Sequence, residues 1–165
     1  MAELQAAAAA AIVACEKEVV DLHEFFTQWF AGLLPDEAFD AFLTRFSDAF
    51  EMVTPSGTTV TKAGLGGMRG AKGSNLEWKI YIREMKLGVV PASGGRIVSG
   101  TYWELQQGAK ASAPTNGRIS TPLLELDGSV QPNGVRWLRL HETWLPAGVL
   151  AAVDWEAAAA QRPTL

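Results

Sequence analysis

The stretch Gly134-Val-Arg-Trp-Leu-Arg-Leu-His-Glu-Thr-Trp-Leu-Pro146 decides the fold of this chain. Eleven residues rich in β-formers lie between a glycine and a proline, enough for a strand of roughly 36 Å. One side of such a strand carries Val135, Trp137, Arg139, His141, Thr143 and Leu145. The other carries Arg136, Leu138, Leu140, Glu142 and Trp144. Large apolar groups stand on both sides, so the strand has to be covered twice: by helices or a cavity on one side and by a partner on the other.

Upstream of it the chain alternates between strand and turn chemistry. Leu76–Leu87, Arg96–Gln107 and Arg118–Leu126 read as strands. The connections contain Pro91-Ala-Ser-Gly-Gly95, Ala113-Pro-Thr-Asn-Gly117, and Asp127-Gly128 through Asn133-Gly134, so four long strands are expected to form an antiparallel meander. The first part of the chain is helical. Residues 3–33 read as one long helix with Val19, Leu22, Phe25, Phe26, Trp29, Phe30 and Leu33 forming a wide apolar stripe. A second helix is expected over 36–47, burying Phe39, Phe42, Leu43 and Phe46. Phe50–Thr54 reads as a short strand, Pro55-Ser-Gly57 as a turn and Thr58–Val60 as a second short strand. Thr61 is placed to cap a third helix running to about Ala71. After Pro146 come Trp155, a short alanine run and Gln161–Leu165, an end expected to fray. This order predicts an α+β domain with its helices on one face of the sheet.

The totals narrow the function classes. A chain of 165 residues with 48% apolar and 19% charged residues suits one globular domain. A net charge of −4 without any run of Lys or Arg excludes the basic stripe that nucleic-acid binding requires. Cys15 is the only cysteine, which rules out an intrachain disulfide or a cysteine-built metal cluster. The alanine-rich start contains Glu3 and lacks a basic n-region, and no apolar run spans a membrane. A cytoplasmic protein without membrane contact is expected. The glycine-rich stretch Gly64–Gly73 fits neither a P-loop nor a dinucleotide fingerprint. The two histidines lack metal-ligand spacing, so neither cofactor nor metal is expected.

Phe46-Ser-Asp-Ala-Phe50 leading to Pro55-Ser-Gly57, the short helix ending at Gly73, the strand meander, and the ending Trp137-Leu-Arg-Leu-His141 together resemble the nuclear transport factor 2-like superfamily, nearest to its SnoaL-like and ketosteroid-isomerase-like small proteins. The resemblance covers residues 16–146. Residues 1–15 then form an alanine-rich helical extension and 147–165 a C-terminal tail. It implies a cone-shaped roll, cystatin-like, in which a strongly curved, mainly antiparallel sheet wraps the helices around a pocket. Its outer sheet face would pair with a second copy as a homodimer. The superfamily contains isomerases, cyclases, dehydratases, hydrolases, ligand binders and assembly hubs, so the fold alone fixes no reaction.

Glu142 and Glu104 are the candidate catalytic groups. Glu142 shares a side of its strand with Leu138, Leu140 and Trp144, and Glu104 shares one with Val98, Tyr102 and Gln106. Resemblance to the association domain of calmodulin-dependent kinases implies that Glu104 and Trp144 look into the cavity, which turns Glu142 inward as well. A pocket glutamate among aromatic groups holds its proton more tightly and serves as acid or base near neutrality; ion pairing with Arg118 or Arg139 is the competing reading. Tyr102, Trp144, Arg118, Trp29 and Phe26 are the candidate ligand-binding residues for a small, largely apolar molecule. Trp137, His141 and Trp103 are the candidate outer-face interface residues, with His141 becoming the general base if the strand register is reversed. His23 reads as a residue at the edge of the helical stripe, and Glu51 as a solvent-exposed residue of the early strand. The competing function is a non-enzymatic dimerisation or accessory domain.

Overall fold

The alanines at the start of the chain have the highest intrinsic helix propensity, and they open a helix. In the computed structural model, which describes residues 2–110 and 113–160, α1 spans Ala2–Phe30. Its buried face is Ala11, Cys15, Val19, Leu22, Phe25 and Trp29, spaced at three and four as one side of a helix requires. Gly32 (φ 74°) takes the left-handed conformation just beyond the end. The second helix, α2 (Glu37–Thr44), turns Phe39 and Phe42 onto the first. Phe42 stacks on Phe25 at 4.5 Å between centroids and an interplanar angle of 4°.

Phe46, expected as the last inward residue of α2, is instead the first residue of β1 (Phe46–Val53). The backbone N–H of Trp137 donates to the Arg45 carbonyl at 2.8 Å, so pairing with the last strand takes over where the helix ends. The short β2 (Thr59–Thr61) pairs antiparallel with β1. The Thr61 hydroxyl then accepts from the Gly64 N–H at 3.3 Å as the cap of α3 (Lys62–Gly66). The glycines that follow tighten the chain into a 3-10 turn over Gly67–Ala71, shortening the expected helix.

The four expected long strands are present as β3 (Lys79–Val89), β4 (Ile97–Lys110), β5 (Ala113–Leu126) and β6 (Val135–Trp144). They form the antiparallel meander of a six-stranded sheet ordered β2-β1-β6-β5-β4-β3. The β1–β6 contact is parallel, a pairing that the hairpin turns do not announce. Bulges interrupt β3 between Arg83 and Lys86 and β6 at Leu138, and such insertions bend a sheet. Opposite the β3 bulge, Gly100 lies against the Lys86 carbonyl so closely that a Cβ has no room. The main core lies between the inner face of this sheet and the helices α1 and α2.

The outer face has its own cover. Two short helices, α4 (Ala147–Ala151) and α5 (Trp155–Ala160), follow β6. They build a second apolar cluster from Leu105, Leu145 and Ala158, with Tyr81, Trp103, Ile119, Leu150 and Trp155 packed against it. Gly117 makes this possible, because a Cβ there would lie 2.6 Å from Leu145 Cδ1 and 3.0 Å from Leu150 Cδ1. The expected fraying of Gln161–Leu165 lies outside the described residues. Among the described residues no helix is long and apolar enough to cross a membrane.

Candidate functional site

A cavity of about 100 Å³ lies between α1 and the inner sheet face. Most of its wall is apolar, with Leu22 and Phe26 from α1, Phe50 and Met52 from β1, and Trp137 and Leu140 from β6. One end is polar, where His23, Glu104, Gln106, Arg118 and Glu142 come together from α1, β4, β5 and β6. Space on this scale admits a compact ligand, somewhat smaller than the ~150 Å³ cavities that accept benzene.

The position of Glu142 follows from an irregularity in β6. On β5, Leu123 pairs with Arg139 while its neighbour Leu124 pairs with Trp137. Leu138 is therefore an extra residue, and the alternation of faces reverses across it. Val135 and Trp137 point inward before the bulge, Leu140 and Glu142 after it, and all four are buried. The two-sided apolar pattern of the sequence thus comes partly from one face read in two registers. Trp137, expected on the outer face, lies wholly inside the protomer. Its indole N–H donates to Glu18 Oε1 at 3.1 Å.

Glu104 reaches the site from β4, paired across to Arg118 on β5. Its Oε2 lies 3.2 Å from His23 Nε2, and its Oε1 accepts from the Gln106 amide. The other imidazole nitrogen, Nδ1, is 2.7 Å from the Val19 carbonyl. A carbonyl only accepts, so Nδ1 carries a hydrogen, and a neutral ring would face Glu104 with a bare lone pair. The His23–Glu104 contact therefore holds one proton. Burial works against a charged imidazole, but the adjacent Glu104 carboxylate outweighs it and the His23 pKa is raised. Burial likewise opposes charge on Glu104, yet His23, Arg118 and Gln106 together hold its pKa down at about 2.

Glu142 has the opposite balance. It is 2% exposed, and its Oε2 accepts from Arg118 Nη1 at 3.0 Å. The same nitrogen lies 3.9 Å from Glu104 Oε1, so one guanidinium serves two carboxylates. Burial and the negative charge of Glu104 raise the Glu142 pKa to about 7 despite Arg118 and His23. The polar end of the cavity thus holds one carboxylate locked in its ionised form and a second that exchanges its proton near neutrality. Such a group acts as base and acid in turn.

The remaining expected site residues separate by position. Arg118 and Phe26 line the cavity. Tyr102 is fully buried behind it, with its ring edge-on to His23 at 5.5 Å. Trp29 belongs to the core, donating its indole N–H to the Met68 carbonyl at 3.1 Å. Trp144 is 52% exposed and stands outside the cavity, where the Arg118 guanidinium lies 5.6 Å from its ring centroid. His141 is exposed on the outer face beside Arg139 and Thr121. Trp103 is on that face too, but packs with the cluster formed by α4 and α5. Glu51 is exposed, 3.7 Å from Arg139. Among the described residues no group of three or more His, Cys, Asp or Glu side chains is arranged to hold a metal ion.

Two buried polar positions were not anticipated from the sequence. His23, assigned to the edge of the apolar stripe, lies at the centre of the polar cluster. Glu18 is 1% exposed and accepts from Trp137, from Asn133 at 2.8 Å and from Arg45 at 3.5 Å. The signal for Glu18 was its spacing, three after Cys15 and four before Leu22, which places it on the buried side of α1. Burial raises its pKa against the pull of Arg45, Asn133 and Trp137.

Helices on the concave side of a curved sheet, enclosing a cavity with a polar end, define the cystatin-like α+β roll. No protein-family model and no curated protein sequence matches the chain. Among solved structures it is similar to an NTF-2 like protein of unknown function from Pseudomonas aeruginosa. The identity is 31% over 81% of this chain and 99% of that one, with a TM-score of 0.68. The chain belongs to the NTF2-like family. The same fold is found in a CaMKII hub from S. rosetta, at 14% identity over 84% of this chain and 96% of that one (TM-score 0.60). A hexachlorocyclohexane dehydrochlorinase, LinA-type3, from Novosphingobium barchaimii shares it at 12% identity, over 80% and 88% of the two chains (TM-score 0.51).

Proposed function

We propose that this protein binds a small, largely apolar molecule in the cavity between α1 and the sheet and moves a proton to or from it through Glu142, as in SnoaL-like isomerase-, cyclase- or hydrolase-type reactions. The observation that carries this reading is a carboxyl group, 2% exposed, at the polar end of a mainly apolar cavity, where burial and the neighbouring Glu104 raise its pKa to about 7. A proton carrier works best when its pKa lies near the working pH. Arg118 stands beside it, ready to pair with negative charge that develops on the ligand. Fold membership supports the reading only as far as precedent, since a neighbour of the same fold is a dehydrochlorinase. The test is a screen of compact ligands by thermal shift and NMR against the wild type and E142Q. Turnover, or ligand binding, that survives unchanged in E142Q removes Glu142 from the role.

A second reading concerns assembly. The outer face beyond α4 and α5 keeps a concave strip lined by Val53, Ser99, Thr121, Leu123, Arg139 and His141, which supports a homodimer contact centred on His141. Trp137 and Trp103 contribute little to it, the first being internal and the second covered. Sedimentation at micromolar concentration tests this, and a monomer counts against it.

A further inference from the structure

The hydrogen bonds of the two glutamates assign them different tasks. Both oxygens of Glu104 are engaged, Oε2 facing His23 and Oε1 accepting from Gln106. Glu142 has one oxygen on Arg118, and its Oε1 takes no hydrogen bond among the described residues. A ligand in the cavity therefore meets Glu142 as the available carboxyl. We infer that His23 and Glu104 form a positioning pair, and that the one proton they share sets how readily Glu142 takes a proton from the ligand. This rests on the reading of Glu142 as the proton carrier.

The groups that face Glu142 can be named element by element. From α1 comes His23. From β4 come Glu104 and, behind it, the Tyr102 phenol. From β5 comes Arg118, with Ser120 as the cross-strand neighbour. From β1 only neutral side chains, Phe46, Phe50 and Met52, line the same cavity. Arg118 is permanently charged, and the Tyr102 phenol is kept neutral, its pKa raised by burial, Glu104 and Glu142. The adjustable charges are therefore those of the pair. Glu104 makes ionisation of Glu142 harder, His23 makes it easier, and the influence of Glu104 is the larger. If Glu104 loses its charge, Glu142 releases its proton at lower pH. That holds whether His23 keeps its own proton, leaving an unbalanced cation, or sheds it, leaving a neutral contact without the dominant anion. If His23 loses its charge, Glu104 is uncompensated and Glu142 releases its proton at higher pH.

Opposite shifts from two substitutions at one contact are a signature that a merely packing role does not give. The experiment follows the Glu142 carboxyl by ¹³C NMR in glutamate-labelled protein, with E142Q providing the assignment. It compares the wild type, E104Q, H23Q and H23Q/E104Q, each checked for folding by circular dichroism. The expected result is a midpoint lowered by about one pH unit or more in E104Q. In H23Q it rises by a comparable amount, and the double variant falls between the two. E104Q preserves shape at a buried position, so it carries the test alone if H23Q does not fold. Unchanged or raised midpoints in E104Q, with the wild type still titrating near neutrality, overturn the pair and leave the proton-carrier reading standing. A wild-type Glu142 that titrates as an ordinary carboxylate removes both.

Discussion

Trp137 and Glu142 stand five residues apart on one strand yet face the same side of the sheet. In a regular strand an odd separation puts two side chains on opposite faces. The extra residue at Leu138 cancels that, so the indole packs over α1 while the carboxyl enters the same cavity from further along. This relationship brings Glu142 to the polar end of the site beside β5, where Ser120 and Arg118 are registered against Glu142 and Trp144.

E142Q is therefore expected to lose ligand binding or turnover while folding normally. Glutamine preserves the shape and removes a charge whose burial is unfavourable, so the melting temperature should stay within a few degrees of wild type, about 1 kcal/mol or less. Thermal denaturation beside a binding assay checks both halves. A large loss of stability with intact binding contradicts the assignment.

The pH dependence of stability has a defined sign. Glu142 is raised from 4.5 to about 7 by burial and Glu104, so between those values the folded protein holds a proton that the unfolded chain has released. Stability then falls as pH rises through that window. His23 acts in the same direction. Its burial is outweighed by Glu104 and its pKa is raised, so its contribution is full below the unfolded value and is lost as pH rises through the folded one. Glu104, held at about 2 against burial by His23 and Arg118, acts at the acid end, where stability is lost as pH falls. The melting temperature should be highest near about pH 5 and lower by pH 8. E142Q should flatten the alkaline side.

W137F tests the internal placement of that side chain. Phenylalanine fills most of the space but leaves buried Glu18 without one of its donors, which costs roughly 1–3 kcal/mol. Urea denaturation should show the loss with oligomeric state unchanged. A variant as stable as wild type but altered in sedimentation points instead to a tryptophan at an interface.

G117V probes the outer cover. Its side chain would collide with Leu145 and Leu150, where even a Cβ lies at 2.6 and 3.0 Å. Residues 147–160 should exchange amide hydrogens faster, while those of α1 stay protected. Equal protection in wild type and variant would show that α4 does not depend on the gap at Gly117.

Much of the fold was legible because it rests on local signals. The apolar spacing of α1, the Thr61 cap, and the turns at Pro91–Gly95 and Asp127–Gly134 placed most elements within a few residues. Ala113–Gly117, expected as a turn, is instead the first part of β5, where pairing with Leu105–Lys110 of β4 overrides the local proline and glycine signal. The parallel contact between β1 and β6 was not legible, since it joins segments some ninety residues apart and no turn reports it. In the site, Glu104 and Glu142 were turned inward by a family resemblance that strand alternation carried along β6, although Trp144, the anchor of that step, stands outside the cavity. Alternation misplaced Trp137 because the sequence around Leu138 carries no glycine or other mark of a bulge. His23 was underrated for a different reason. Its partner Glu104 lies 81 positions away, and a histidine beside an apolar stripe reveals its burial only when that partner is in place.

The most direct test of the account is the ionisation of Glu142 itself, followed by isotope-edited infrared or ¹³C NMR in wild-type protein, with E142Q subtracted. The account predicts a carboxyl that changes state near pH 7. A midpoint between about 4 and 5, that of an unperturbed glutamate, would contradict it.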